Sequence, residues 1–146
     1  PRKRRRRPRP LGDAFMTKDG PIELVVLAVG SGAALGALGR WFLAYVLNPR
    51  TDLLPLGTLV ANLLGGYLIG LALAWTSAHP EIPPAVRLFL ITGFLGGLTT
   101  FSTFSGENVS MLLAGEAGRA LAHATLHVAG SFAATALGLF TWRLLH

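Results

Sequence analysis

The chain contains no cysteine, which excludes a disulfide framework and a thiolate metal site. Charge is scarce too, since Asp, Glu, Lys and Arg make up 14% of the 146 residues. Beyond residue 20 even that charge cancels, with five arginines (Arg40, Arg50, Arg87, Arg119, Arg143) set against five acids (Glu23, Asp52, Glu81, Glu107, Glu116). The body therefore lacks the basic face that nucleic-acid binding requires. The net charge of +6 belongs to the N-terminal segment, which holds eight of the thirteen Lys and Arg. Missing as well is any convergence of nucleophile, base and orienting acid, so the pattern is not that of an enzyme. What is abundant is apolar: 51% of the residues are hydrophobic, too many for a soluble domain of this size.

An all-α, multi-pass membrane protein is the fold class these proportions predict, divided into a basic tail (residues 1–20) and a four-helix transmembrane domain (residues 21–146). The tail combines an arginine run with three prolines, has no apolar periodicity and reads as disordered. It is an anchor able to touch anionic lipid headgroups and to hold its end in the cytoplasm, not a cleavable signal peptide. Spans are expected at about 22–47, 56–75, from 85 through the third span, and 120–144, each long enough for a hydrocarbon layer of roughly 30 Å. The intervening turns carry Asn48-Pro49, His79-Pro80 and Gly115-Glu116.

The third span is interrupted by its own composition. Residues 93–105 hold Gly93, Gly96 and Gly97 followed by Thr99, Thr100, Ser102, Thr103 and Ser105. Glycine lowers helix propensity, and hydroxyls satisfy loosened backbone groups. In hydrocarbon such a break persists where the freed groups are buried in protein or line a cavity. Phe101 and Phe104 share a face just beyond it; they are core rings or, beside those hydroxyls, electropositive ring edges for an anion.

The other spans carry stripes at intervals of four. In the first, Gly32, Gly36 and Arg40 align, small residues for close helix approach and one charge needing a partner, a vestibule or the interface. In the second, Thr58 and Asn62 precede Gly66 and Gly70. Asn62 is either an interhelical hydrogen bond or a pore-lining donor. In the fourth, His123, His127, Ser131 and Thr135 form a polar track facing a wet path or a helix neighbour. Two histidines at that spacing can ligate a metal, but no cysteine or adjacent acid in the sequence completes a site.

Three blocks carry a family resemblance: residues 32–40 (GAALGALGR), 56–66 (LGTLVANLLGG) and 92–107 (TGFLGGLTTFSTFSGE). Together they resemble the small bacterial fluoride channels, the Fluc or CrcB family, across all four spans. The resemblance implies an antiparallel, dual-topology dimer with two fluoride pores and a structural sodium ion at its centre. The sodium would be held by backbone carbonyls corresponding to Gly96 and Thr99. The pore residues would correspond to Asn62, Phe101, Phe104, Ser131 and Thr135. Candidates for the pore or its vestibule are Thr58, Arg40, Thr100, Ser102, Thr103, His123 and His127; imidazoles are less usual at the last two positions.

Physical chemistry agrees with that implication. Fluoride is small and strongly hydrated, so a selective path must replace its water with amide, hydroxyl and ring-edge donors. The rival reading is a small dual-topology drug-efflux transporter, which needs a membrane carboxylate to couple protons; Glu23 lies at the edge of the first span and Glu107 late in the third. A non-transporting interaction protein, its tail binding lipid or RNA and its spans serving as an anchor, is a third reading. Without the tail, Arg87 and Arg143 on one side balance Arg50 and Arg119 on the other, which permits both orientations. The tail favours an N-in orientation, so the inverted partner is expected to be either a copy that translocates its tail or a homologous chain.

Overall fold

The computed structural model describes residues 16–50 and 53–146, so the expectation for the tail falls, up to residue 15, outside the described residues. Residues 16–20, which the sequence assigns to the tail, carry regular backbone structure. Met16–Thr17 (β1) pairs antiparallel with Gly20–Pro21 (β2) in a small hairpin. Gly20 sits at φ 122°, a conformation glycine adopts without a Cβ clash. Thr17 Oγ1 ties the turn by donating to Gly20 O at 2.9 Å.

Among the described residues seven helical pieces make four spans: α1 (Ile22–Leu47), α2 (Leu56–Ala78), a third span assembled from four pieces, and α6 (Ala117–Leu145). All four are long and apolar enough to cross a membrane. The 26 residues of α1 reach about 39 Å at 1.5 Å per residue, beyond the roughly 30 Å required. The first connection is pinned where Asn48 Oδ1 accepts from Gly57 N at 2.8 Å, so the end of α1 caps the start of α2. The third span opens with Pro84 in its first turn, where a missing N–H is harmless.

That third span comprises α3 (Pro84–Arg87), a wide π-helical stretch (Leu88–Leu95), α4 (Gly96–Leu98) and α5 (Phe101–Leu113). Thr99 (φ −82°, ψ 155°) and Thr100 (φ −152°, ψ 124°) between α4 and α5 are extended. The helix restarts because Thr100 Oγ1 accepts from Thr103 N at 3.1 Å, a threonine N-cap. The extended residues are thus the two threonines, whereas Gly93, Gly96 and Gly97 remain helical.

The glycines do a different job. α1 lies against the stretch from Leu88 to Leu98, and α2 lies against α6. A Cβ on Gly36 would collide with the carbonyl of Phe94, and one on Gly97 with that of Ala33. At the other seam Gly70 and Gly138 face the carbonyls of Thr135 and Tyr67. Lipid offers no hydrophobic drive for one helix to leave it for another, so close backbone approach and dispersion hold the spans together. The sealed apolar centre is accordingly small, built on Ala61, Leu95 and Leu98 with Leu43, Leu68, Ile69, Ala72 and Phe94 around it. Large apolar side chains such as Trp41, Phe132 and Leu144 point outward.

Gly138→Val is expected to destabilise the protein by about 1–3 kcal/mol or more, because the clash is with backbone and cannot be relieved by a rotamer change. Thermal unfolding in detergent checks this, and an unchanged midpoint would mean the α2–α6 seam is looser than described.

Candidate functional site

The interruption after Leu98 leaves backbone groups to be satisfied, and the second span reaches across to do it. Asn62 Oδ1 accepts from Thr100 N at 2.8 Å, and Asn62 Nδ2 donates to Thr100 O at 3.0 Å. The amide side chain thus pairs with both polar groups of one residue, as a neighbouring strand would. In an unbroken helix Thr100 N would have bonded Gly96 O, and Thr103 N would have bonded Thr99 O. Both donors are engaged elsewhere, so the carbonyls of Gly96 and Thr99 lose their helical partners. Arg40 attends to the carbonyl between them, its Nε donating to Gly97 O at 3.2 Å. The charge inside the first span is therefore partnered rather than drawn out to the interface.

A pocket of about 710 Å³ opens beside this break. It brings together Asn62 from α2, Gly96, Thr99 and Thr100 at the interruption, Phe101 and Phe104 from α5, and His127, Ser131 and Thr135 from α6. Nine of the fourteen sequence candidates thus share one cavity. The remaining five lie elsewhere. Arg40 is on Gly97, while Ser102 and Thr103 are exposed, with both hydroxyls against that of Thr100. Thr58 and His123 are buried beneath the pocket.

The two rings differ in setting although their centroids are 5.5 Å apart. Phe104 is buried at 9% exposure, whereas Phe101 is 77% exposed and projects outward. Along α6 the hydroxyl of Thr135 donates to Ser131 O at 2.9 Å, so its proton is turned to its own helix.

Under the pocket lies a cluster that spacing alone does not show. Thr58 Oγ1 donates to Glu107 Oε1 at 2.6 Å, and His123 Nε2 faces Glu107 Oε2 at 3.4 Å. His123 and His127 pack at 4.4 Å between centroids, and Phe104 covers both, its ring centroid 5.3 Å from the first and 4.7 Å from the second. Each imidazole has an asparagine on Nδ1: Asn108 at 3.3 Å on His123 and Asn62 at 3.0 Å on His127. The expectation that no acid stands near the histidine pair is corrected here. Glu107 is far from both in sequence, but α5 packs on α6 and delivers it. Asn108 is thus a site residue that the sequence did not single out, and Glu107, weighed there only as the coupling carboxylate of a transporter, proves to be a neighbour of the histidines. A carboxylate within an apolar span was the available signal, while Asn108 gave none.

A family model described as CrcB-like protein, Camphor Resistance (CrcB), matches residues 27–139. The chain is also similar to proteins named fluoride-specific ion channel FluC. The one from Cupriavidus pinatubonensis is 56% identical over 126 residues, which is 86% of this chain and 98% of that protein. The one from Thiobacillus denitrificans is 57% identical over 121 residues, 82% of this chain and 96% of the relative. The one from Cupriavidus metallidurans is 52% identical over 126 residues, again 86% and 98%.

Thr58→Val keeps the volume but strips Glu107 of its hydroxyl donor, and is expected to lower stability by about 1–3 kcal/mol. A double-mutant cycle with Glu107→Gln, read by thermal unfolding, should give a coupling of about 1 kcal/mol. Zero coupling would show that the 2.6 Å contact contributes nothing.

Proposed function

The chain belongs to the CrcB-like family, and from that we propose that it is a fluoride-selective channel, letting fluoride leave the cell passively across the plasma membrane and so lowering its toxicity. The observation that carries the proposal is the pocket in which two phenylalanines, the hydroxyl track of α6 and the interrupted third span meet inside a four-span membrane protein. Fluoride gives up strongly bound water to enter protein, and only a path offering successive short contacts offsets that loss. Ring edges of Phe101 and Phe104 present partial positive charge without hydration of their own. The hydroxyls of Ser131 and Thr135 continue the path, Thr135 turning its proton from the backbone to the ion.

We further propose that the working unit is an antiparallel dimer, formed with a second copy or with a homologous chain of inverted orientation. Support comes from Phe101, whose 77% exposure leaves it able to complete a neighbour's pore as well as its own. The freed carbonyls of Gly96 and Thr99 fit a hard monovalent cation such as sodium, which prefers oxygen ligands. One chain offers only two such carbonyls, and a two-fold axis would bring four. Sodium bound there would supply a fixed positive charge that favours anions nearby, with no carboxylate needed. The drug-efflux alternative is less well supported, because Glu107 is tied to Thr58 and faces His123 beneath the pocket and does not line it.

Purified protein in liposomes should dissipate a fluoride gradient without proton or ATP coupling and pass little chloride; equal flux of the two would sink the reading. Phe104→Ile and Phe101→Ile keep apolar bulk while removing the ring edge. Each is expected to lower fluoride flux by about tenfold or more with assembly intact, an effect that corresponds to about 1.4 kcal/mol. Normal flux in both would make the rings core residues only.

A further inference from the structure

Among the described residues, the buried side-chain nitrogens and oxygens left without a hydrogen-bond partner are Glu107 Oε2, His123 Nε2 and His127 Nε2. All three belong to one cluster. One ligand-type atom of each residue lies within 4.8 Å of those of the other two, and the histidines are 0% and 3% exposed. An unpaired polar atom inside an apolar span is costly, so three that converge from α5 and α6 call for a shared occupant.

The spacing fits a metal ion better than a hydrogen bond. His123 Nε2 stands 3.4 Å from Glu107 Oε2, beyond the usual N–H···O range of roughly 2.7–3.2 Å. It matches the edge of a zinc tetrahedron, about 3.3 Å for ligands at roughly 2.0–2.1 Å from the metal. Two imidazoles and a carboxylate are also a set that zinc takes as three protein ligands, leaving one position open. The other oxygen of Glu107 accepts from Thr58 Oγ1 at 2.6 Å, which orients the carboxylate as the surroundings of a metal site do. A divalent ion would also compensate the acid's charge within its apolar span.

The opposing cost lies at Nδ1. A histidine that ligates through Nε2 carries its proton on Nδ1 and donates it to an acceptor. Asn108 and Asn62 instead turn their amide nitrogens to those atoms, at 3.3 Å on His123 and 3.0 Å on His127. Asn108 is held in that sense by one bond, from Nδ2 to Ala120 O at 2.9 Å, so turning its amide over gives His123 a carbonyl acceptor. Asn62 is held by both of its bonds to Thr100, so His127 has to leave it. One or two lost neutral hydrogen bonds are small beside the bonds of three ligands to a divalent ion, and the metal prevails.

We propose that Glu107, His123 and His127 form a binding site for a divalent ion of the zinc type, and that its occupation slows fluoride flux. His127 also lines the pocket, which gives the ion a way in. A divalent cation with an open ligand position beside the path holds a fluoride ion too firmly for conduction, which requires that the ion leave as readily as it enters. The inhibition rests on the fluoride-channel reading above; the metal site does not.

The test uses the full chain in lipid nanodiscs, titrated with cobalt chloride as a coloured stand-in and then with zinc chloride. Cobalt should bind at about one ion per chain with the visible absorption of a four-coordinate nitrogen and oxygen site, and zinc should displace it. X-ray absorption of the zinc form should show two imidazole ligands. Glu107→Gln and His123→Gln should each weaken binding by about tenfold or more. Replacing His79 and His146, the other two histidines of the chain, by alanine should leave binding unchanged. In liposomes, saturating zinc should lower wild-type fluoride flux by about tenfold, and a chelator should restore it.

Absence of saturable binding, a zinc spectrum without imidazole, or binding lost with His79 and His146 would each overturn the site, and these readings stand even where a Glu107 or His123 variant does not fold. Undiminished binding in the folded Glu107→Gln and His123→Gln proteins would overturn it too. Full occupancy with unchanged flux would overturn the inhibition. A wild type that binds the metal but passes no fluoride, with or without zinc, would sink the channel reading and uphold the site.

Discussion

The double hydrogen bond between the Asn62 amide and the backbone of Thr100 is the contact on which the rest of the site depends. A chain interrupted within a bilayer must have its N–H and C=O groups met by protein, since hydrocarbon offers no partner and each group left bare is costly. One asparagine satisfies both groups of the residue at the break. Its doing so leaves the carbonyls of Gly96 and Thr99 without helical donors, gives Thr100 the geometry to cap α5, and fixes which atom of the amide faces His127. Backbone satisfaction, the two freed carbonyls and the orientation of the amide toward His127 are thus consequences of one pairing.

For that pairing to form, α2 has to lie at hydrogen-bond distance from the third span and from α6 together. Glycines make this possible. The seam of α1 with the Leu88–Leu98 stretch and the seam of α2 with α6 both bring backbone onto backbone at positions where any Cβ would intrude. With packing rather than hydrophobic expulsion holding the helices, the scaffold can be rigid where it is tight and open where the pocket lies. Arg40 adds a long-range tie, bringing the first span's charge onto the carbonyl of Gly97.

Much of the architecture was legible in the sequence because it rests on local quantities. Hydropathy and proline-marked turns located the four spans, and α1 has the bounds its apolar run suggests. Fourfold spacing put Asn62, Ser131 and Thr135 on faces that do meet in one pocket. Other features depend on which helix neighbours which, and spacing does not encode that. The glycines at 93 and 97 looked like breakers and are packing residues, since their tolerance of helix is decided by the partner backbone opposite. The acid missing from the histidine pair is Glu107, supplied by a different span. Nothing in the pattern around Asn62 signals that both its hydrogens are consumed internally, for that requires knowing the positions of Thr100 O and His127 Nδ1. Phe101 and Phe104 are three residues apart yet differ in burial, because only one of them turns under α6.

Amide hydrogen exchange at Thr100, compared between the wild type and Asn62→Ala in lipid, tests the dependence on this pairing most directly. With the Asn62 side chain as the sole acceptor described for that N–H, its removal should accelerate exchange at Thr100 by about fivefold or more while α2 and α6 keep their protection. Unchanged exchange at Thr100 in a folded Asn62→Ala protein would contradict the account, since the interruption would then be held by something other than this side chain.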